Sequence, residues 1–242
     1  MKKMKFWKAK RSIIKAGRRL WLKGIFSGTD GNMSLRVGDV FLITASGVSK
    51  GFLKLKDFGM VDIKTGEVRG NVSSEYRMHL QIYRKTEANA VVHAHPPFAT
   101  ALSCIKKING ISVDGKIDVS LLVESMLFLS GKPNLRAELK EGAFMPLVAF
   151  EPASSWELAE AVSDRLASSG SKVALMACHG AVATGSSLEE AVNLMELIEN
   201  FSNVFLRTVR DAEFYSRFYE ASRDPHEALK KMLEVREKLW NS

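Results

Sequence analysis

The chain has 242 residues, of which 46% are apolar, so it is long enough to bury the core of one α/β domain. Lys and Arg number 35 against 27 acids, and the net charge of +8 favours phosphate-bearing ligands. No apolar run approaches the roughly 18 residues of a membrane span, and no signal peptide is evident. The basic residues outside the first segment are scattered without an aromatic platform. We therefore expect a cytoplasmic protein with no membrane or nucleic-acid partner.

The first half of the chain begins with a helix and continues as an antiparallel meander. Apolar residues recur at helical spacing over residues 4–24, where Gly24 is a suitable C-terminal stop. A glycine-containing loop, GTDGN, precedes the predicted strands MSLRV and VFLIT. The small-residue loop ASGVSKG and a hairpin around Lys64–Gly66 follow. Such loops are ordinary turns in most proteins, but they can also expose backbone amides to a phosphate.

The segment from Ser73 to His95 predicts a helix followed by a strand with metal-binding potential. Ser73 or Ser74 is a candidate N-cap, and Glu75 falls in the first turn. In the strand AVVHAH, His93 and His95 point the same way about 6.6 Å apart, while Ala94 faces away. The His-x-His pattern alone also fits two hydrogen-bonded histidines. Glu75 could equally pair with the residue four positions later, His79.

A third histidine strengthens the metal hypothesis. His179 closes a second apolar strand, VALMACHG, and is one of only five histidines in the chain. Two strand ends with inward imidazoles and a carboxylate at a helix start are the donors of a zinc site with an exchangeable position. Cys104 and Cys178 lack a metal-binding spacing, so we expect buried free thiols, with Cys178 as a minor candidate for a ligand or nucleophile.

The second half of the chain completes one layered α/β domain. Residues 105–150 predict a hairpin at INGISVDGKI, an apolar helical run and a strand near GAFMPLVAF. A capped helix over 154–169, a buried strand over 171–178 and a long helix after a Ser cap follow. Residues 213–242 predict an amphipathic helical tail that can pack on its own chain or on another subunit. We expect residues 1–242 to form a single domain that includes this tail.

Five motifs together resemble the class II aldolase and adducin family between Ile13 and Val204. They are, in order, GTDGNMSLR, LITASGV, SSEYRMH, VVHAHPPFATALS and ACHGAVATG. The resemblance implies a three-layer α/β/α domain around a mostly antiparallel sheet. It also implies a homotetramer with cyclic symmetry whose sites lie between subunits. The activity that it implies is reversible cleavage of a phosphorylated ketose, such as L-fuculose 1-phosphate, to dihydroxyacetone phosphate and a short aldehyde.

The resemblance also assigns roles to individual residues. His93, His95 and His179 match the family's zinc ligands, and Glu75 matches the acid that both binds the empty metal and serves as the catalytic base. The residues that match positions holding the substrate phosphate are Gly28, Thr29, Asn32, Ser46, Gly47, Ser73 and Ser74. These assignments agree with the chemistry expected from the residue types, because short hydroxyls and amides bind phosphate and imidazoles bind zinc.

The chain departs from the family pattern at the tyrosine that protonates the departing aldehyde. Phe150 matches that position, and an alignment anchored on Pro146 would place Leu147 there instead. Neither side chain can transfer a proton. A hydroxyl from the tail of a neighbouring subunit, such as Tyr215 or Tyr219, is the alternative source, so the sequence leaves the aldehyde partner open.

Three other functions belong to the same family resemblance. A pentulose-5-phosphate 4-epimerase shares most of the pocket, but such epimerases tend to have Asp where this chain has Glu75. A methylthio-pentulose phosphate dehydratase fits the motifs less well. A non-catalytic adducin-like interaction module need not retain metal ligands, whereas all four candidates are present here. The sequence therefore favours the zinc-dependent aldolase.

Overall fold

The computed structural model describes residues 2–105, 112–113, 116–119, 128–129 and 144–210. The predicted tail, residues 213–242, lies outside the described residues, as does most of the predicted helical run after residue 119. The helices are α1 (Lys2–Leu22), α2 (Tyr76–Lys85), α3 (Pro97–Ser103), α4 (Trp156–Ser169) and α5 (Leu188–Arg210), with a short 3-10 helix at Lys50–Phe52. Among the described residues, every helix is too short or too polar to cross a bilayer.

Ten strands in the described residues form one sheet. They are β1 (Asn32–Val37), β2 (Val40–Thr44), β3 (Phe58–Asp62), β4 (Val68–Arg69), β5 (Ala90–Ala94), β6 (Ser112–Val113), β7 (Lys116–Asp118), β8 (Phe144–Val148), β9 (Val173–Met176) and β10 (Gly180–Gly185). Their order is β4-β3-β2-β1-β5-β10-β9-β8-β7-β6. Every pairing is antiparallel except that of β8 with β9. The predicted mostly antiparallel sheet is confirmed.

Two hydrophobic cores, one on each face of the sheet, make the domain a three-layer α/β/α structure. On one face α1, α3 and α5 pack against the sheet, with Ile13 and Ile198 fully buried. On the other face α2 and α4 pack against each other and against the sheet. Consecutive strand residues alternate between the two cores, so Val91 lies with α2 while Val92 lies with α1 and α5.

Helix boundaries follow the local signals in one case and depart from them in another. Ser155 caps α4, because its hydroxyl accepts a hydrogen bond from the backbone N–H of Leu158 at 3.0 Å. The expected serine cap of α2 is wrong: Glu75 occupies the N-cap position, and the helix begins at Tyr76. Glu75 therefore lies just outside the helix, where its side chain can turn toward the sheet.

The hairpins predicted around Lys64–Gly66 and in INGISVDGKI correspond to the antiparallel pairs β3–β4 and β6–β7. The strand predicted near GAFMPLVAF corresponds to β8. The expectation of buried cysteines is wrong, because Cys104 and Cys178 are both exposed. Cys104 ends α3 and Cys178 lies in the β9–β10 turn, so both follow an apolar segment rather than belong to it. Apolar neighbours in sequence indicate an adjacent buried element, which stops short of these two residues.

Candidate metal centre

Four side chains from three parts of the chain converge on one point beside the sheet. Glu75 precedes α2, His93 lies in β5, His95 follows β5, and His179 lies in the turn between β9 and β10. Their ligand atoms all lie within 4.8 Å of one another. Glu75 and His93 are buried, while His95 and His179 are partly exposed. The four residues singled out from the sequence as metal ligands are thus brought together, with an opening on the side of His95 and His179.

Strand alternation directs the histidines of β5 to the α2 face of the sheet. Ala94 packs in the opposite core, as its position between His93 and His95 predicts. β5 is central, since it pairs with β1 on one side and β10 on the other, placing both Asn32 and Val182 opposite His93. The central position removes water from His93, which is 0% exposed.

Two glycines allow neighbouring segments to approach this part of β5. A Cβ at Gly31 would lie 2.5 Å from the carbonyl oxygen of His93, and Gly31 has a left-handed φ of +67°. A Cβ at Gly180 would lie 2.5 Å from the carbonyl oxygen of Ala94. A side chain at either position would push its segment away from the histidines. The glycines of the GTDGN and ACHG motifs therefore have a packing role at the site.

Hydrogen bonding sets the protonation of His93. Its Nδ1 lies 2.9 Å from the carbonyl oxygen of Ala181, which only accepts, so Nδ1 carries a proton. In the neutral ring Nε2 then presents a lone pair. That atom lies 2.9 Å from Oε2 of Glu75 and 3.1 Å from Nε2 of His95. Three electron-pair donors at such short separations require a cation between them, either a proton or a metal ion.

The pKa shifts of the four cluster residues also favour a bound cation. Burial alone lowers the pKa of His93, but the carboxylate of Glu75 outweighs burial and leaves it raised. Burial alone would raise the pKa of Glu75, but the imidazoles of His93 and His179 lower it well below its usual range. Burial and the neighbouring His93 lower the pKa of His95 to about 4 and also lower that of His179. The ionised carboxylate and the neutral imidazoles of His95 and His179 are in the protonation states that a metal ion needs, whereas His93 would have to give up the proton that Glu75 favours on it.

Two buried atoms of the cluster lack hydrogen-bond partners within the described part of the chain. They are Oε1 of Glu75 and Nδ1 of His179. Glu75 Oε1 lies 3.3 Å from Nε2 of His179 without a hydrogen bond, and a metal ion is one group that would satisfy this buried oxygen. Three imidazole nitrogens and one carboxylate oxygen form a donor set suited to zinc or a similar divalent transition metal, rather than to magnesium. The cluster therefore fits a divalent metal ion.

The residues expected to hold a phosphate fall on three segments around this cluster. Gly28 and Thr29 are in the loop before β1, Ser46 and Gly47 follow β2, and Ser74 precedes α2; all five are exposed. The other two, Asn32 and Ser73, are buried and already joined: the Asn32 amide donates to Ser73 Oγ at 2.9 Å and to Glu75 Oε2 at 3.1 Å. The five exposed residues can meet a ligand from solvent, whereas Asn32 and Ser73 support the carboxylate.

Sequence reasoning overlooked Lys50. Its side chain is only 2% exposed, and Nζ donates to the carbonyl oxygens of Thr29 at 2.5 Å and of Val48 at 2.9 Å. Lys50 therefore ties the loop before β1 to the loop after β2. Burial lowers its pKa to about 8, partly opposed by the charges of Asp30 and Glu75. The feature of the sequence that could have drawn attention to Lys50 is its position as the single lysine of the small-residue stretch ASGVSKG.

Sequence reasoning also misassigned His79. The suggested pair with Glu75 does not form, because His79 contacts Asn32 through Nε2 at 2.5 Å and Ser34 through Nδ1 at 2.6 Å. Ser34 Oγ lies 2.7 Å from the hydroxyl of Tyr83. His79 is fully buried between α2 and the sheet, and burial with the neighbouring His93 lowers its pKa to about 3. These contacts place His79 behind the metal cluster.

The position matched to the family's tyrosine does not supply a hydroxyl. Phe150 follows β8 and is 65% exposed. Leu147, the alternative match, lies within β8. Tyr215 and Tyr219 lie outside the described residues.

The described residues define a three-layer α/β/α protein with a candidate metal site, in which a carboxylate before α2 meets three imidazoles at or just beyond strand ends. The model of the class II aldolase and adducin N-terminal domain matches residues 11–206. The chain belongs to this family, and it is an enzyme of the class II aldolase type. The family resemblance inferred from the motifs is confirmed.

Individual relatives show the range of reactions in the family. The chain is 32% identical to a 5-methylthioribulose-1-phosphate/5-deoxyribulose-1-phosphate aldolase of Rhodospirillum rubrum over 208 residues, covering 84% of this chain and 83% of the relative. It is 31% identical to an L-fuculose phosphate aldolase of Methanococcus maripaludis, with coverages of 79% and 93%. The structure of L-fuculose-1-phosphate aldolase from Thermus thermophilus superposes with a TM-score of 0.69 at 28% identity, with coverages of 88% and 96%. Other relatives are named as a dehydratase and a decarboxylase.

Proposed function

We propose that this protein is a zinc-dependent aldolase that reversibly cleaves a phosphorylated ketose to dihydroxyacetone phosphate and a short aldehyde. The observation that carries the proposal is the convergence of Glu75 with His93, His95 and His179 beside exposed small-residue loops. Cleavage of the ketose breaks the bond between the third and fourth carbons, while the hydroxyl on the fourth carbon loses its proton to solvent and becomes the carbonyl of the aldehyde. The electron pair stays on the dihydroxyacetone phosphate half until a proton joins its third carbon. A metal ion bound at the cluster would stabilise the negative charge that develops on the substrate oxygens.

Glu75 is the proposed base. In the direction of synthesis it removes the proton from the third carbon of dihydroxyacetone phosphate, and in cleavage it returns that proton. Its carboxylate is ionised because the pKa is lowered by His93 and His179. One oxygen is held by the Asn32 amide, while Oε1 has no hydrogen-bond partner. An ionised carboxylate with one anchored and one available oxygen suits both metal binding and proton transfer.

The substrate phosphate is proposed to bind at the loops that surround the cluster. Thr29, Ser46 and Ser74, which carry hydroxyls, and Gly28 and Gly47 are exposed residues of these loops. Short hydroxyls and amides bind a phosphate without adding bulk. Lys50 lies beneath two of these loops and adds a buried positive charge. The basic surplus of the chain thus has a role in attracting a small anionic substrate.

The sugar half of the substrate is assigned as a short aldehyde without a strong polar requirement. Phe150 and Leu147 cannot hydrogen-bond to it, and two of the relatives act on differently substituted ketose phosphates. An L-fuculose 1-phosphate-like ketose is one proposed substrate, and a 5-deoxypentulose 1-phosphate is the other. Kinetic comparison of these two compounds with the purified enzyme decides between them.

Solvent deuterium exchange into dihydroxyacetone phosphate, without any aldehyde, tests the proposed first half-reaction. The metal-loaded enzyme should exchange one proton stereospecifically, and Glu75→Gln should lower the exchange rate by about 100-fold or more. Glu87→Gln is the matched control, because Glu87 is exposed and follows the C-terminal end of α2, whereas Glu75 precedes its start. Absence of exchange in the metal-loaded protein, together with interconversion of pentulose 5-phosphates, would establish the epimerase instead.

Metal content tests the site itself. We expect one zinc ion per chain by mass spectrometry of the purified protein, and loss of zinc in His93→Ala. Full metal retention in His93→Ala would remove the cluster as the binding site. A protein that binds no metal and no sugar phosphate would instead be an adducin-like interaction module.

We further propose that the enzyme is a cytoplasmic homotetramer of single-domain chains. The predicted tail, residues 213–242, is amphipathic and offers a surface for subunit packing. Light scattering at micromolar concentration measures the mass directly. A monomer would contradict a site shared between subunits.

A further inference from the structure

A buried chain of hydrogen bonds leads from Glu75 into the core between α2 and the sheet. It runs through Asn32, His79 and Ser34 to Tyr83, and we call these four residues the buried relay. Each member is at most 2% exposed. The successive donor–acceptor distances, from Glu75 inward, are 3.1, 2.5, 2.6 and 2.7 Å. The hydrogen bonds of the buried relay are therefore formed without water.

The chemistry of the end groups fixes the direction of every bond in the relay. An ionised carboxylate only accepts, so the NH2 group of Asn32 faces Glu75 and its oxygen faces His79. Nε2 of His79 must then donate. Because burial keeps His79 neutral, Nδ1 must accept, and Ser34 donates to it. The hydroxyl of Ser34 has one hydrogen, so Tyr83 donates to Ser34.

Reversal of any bond would place two acceptors or two donors face to face. If His79 carried its proton on Nδ1, Nε2 and the Asn32 oxygen would be two acceptors 2.5 Å apart. If the Asn32 amide then rotated, its oxygen would face Glu75 Oε2, and these would be two acceptors 3.1 Å apart. Both arrangements are buried, so water cannot relieve them. The hydrogen bonds of the buried relay therefore have one stable direction, from donor to acceptor.

We propose that His79 is a positioning residue that locks the Asn32 amide with its NH2 group toward Glu75, leaving Glu75 Oε1 available for the metal and the substrate. The inference rests on the proposed function to the extent that Glu75 is the base. It does not require His79 to touch substrate or metal. Ser34 and Tyr83 act further back, by holding the tautomer of His79.

Substitutions at His79 separate positioning from packing. The side-chain amide of Gln can donate from near the position of Nε2, whereas Leu fills similar space without a donor. We expect His79→Leu to retain zinc and the KM for dihydroxyacetone phosphate but to lower the rate of deuterium exchange by about tenfold or more. His79→Gln should restore most of that rate. Equal loss in both variants, or no loss in His79→Leu, would overturn the proposal.

A second measurement determines the tautomer of His79, and so the direction of the hydrogen bonds, independently of catalysis. Long-range proton–nitrogen correlation spectra of the zinc-loaded protein, labelled with 15N-histidine, distinguish the two neutral tautomers, and His79→Gln identifies the signal. We expect the Nε2-protonated form between pH 5 and 8 in the wild type. The Nδ1-protonated form, or an imidazolium, would overturn the proposal even if the Leu variant failed to fold. A wild type with this tautomer but no proton exchange would refute the proposed aldolase reaction and leave the relay intact.

Discussion

Replacement of Lys50 by Met should change how stability depends on pH. Lys50 is 2% exposed, and its burial lowers the pKa of the ammonium from 10.5 to about 8. The shift of 10.5 − 8 = 2.5 corresponds to about 3 kcal/mol of differential free energy between the charged and neutral forms. The folded protein is destabilised by this amount, to order of magnitude, wherever Lys50 must be charged.

The sign follows from the lowered pKa. Above the unfolded pKa of 10.5 both states are neutral, and the penalty vanishes. As the pH falls toward 8 the unfolded lysine gains its proton first, so the wild type loses stability relative to a variant that lacks the charge. Below about 8 the penalty is complete and constant. Lys50→Met removes this dependence but also removes the two hydrogen bonds to Thr29 and Val48.

The assay is urea unfolding of the wild type and Lys50→Met at a series of pH values from 7 to 10. The difference between their unfolding free energies should shift by about 2–3 kcal/mol in favour of the wild type as the pH rises. Other titrating groups cancel in this difference. Lys56→Met, at an exposed position of the same segment, is the matched control and should show no shift. A difference independent of pH for Lys50→Met would show that Lys50 titrates normally in the folded protein.

Three further substitutions test the scaffold around the site. Ser155→Ala removes the cap of α4, including the bond to the N–H of Leu158, and should lower the unfolding free energy by about 1 kcal/mol in chemical denaturation; an unchanged midpoint would show that another group replaces the cap. Gly31→Ala would place an alanine at a left-handed φ with its Cβ 2.5 Å from the carbonyl oxygen of His93, so we expect the unfolding free energy to fall by at least about 2 kcal/mol. Zinc binding, measured by competition with a chelator, should also weaken. Wild-type zinc affinity would contradict the close approach. Lys85→Met removes the surface ion pairs of Lys85 with Glu160 and Asp164 and should cost less than about 1 kcal/mol. A larger cost in the same denaturation assay would indicate a stronger network than the exposed geometry predicts.

The four members of the candidate metal cluster could be singled out from the sequence because their local pattern is nearly independent of tertiary contacts. His93 and His95 share a face through the two-residue repeat of a strand, and Ala94 packs in the opposite core as that repeat requires. His179 was identified because it also ends an apolar run. The motif order then placed these residues in one family, and the three-layer fold followed from that family.

Tertiary structure decided which partners the polar side chains have. Glu75 and His79 are four residues apart, and helical spacing alone allowed them to pair. Glu75 instead lies before α2 and turns to His93, while His79 turns to Asn32, which comes from a different strand. The contact of Glu75 with His93 joins an α2 flank to a strand, and that of His79 with Asn32 spans 47 residues, so local periodicity contains no information about either.

The burial of Lys50 and the direction of the buried relay also depend on long-range packing. A lysine in a small-residue loop normally reaches solvent, and only the approach of the loop before β1 encloses Lys50 and supplies the carbonyl of Thr29. The sequence by itself determined which four side chains form the candidate metal cluster, because strand alternation and residue chemistry are local. The folded sheet determined the protonation states and positions of those donors, because they arise from charges and hydrogen bonds between segments that are distant in the chain.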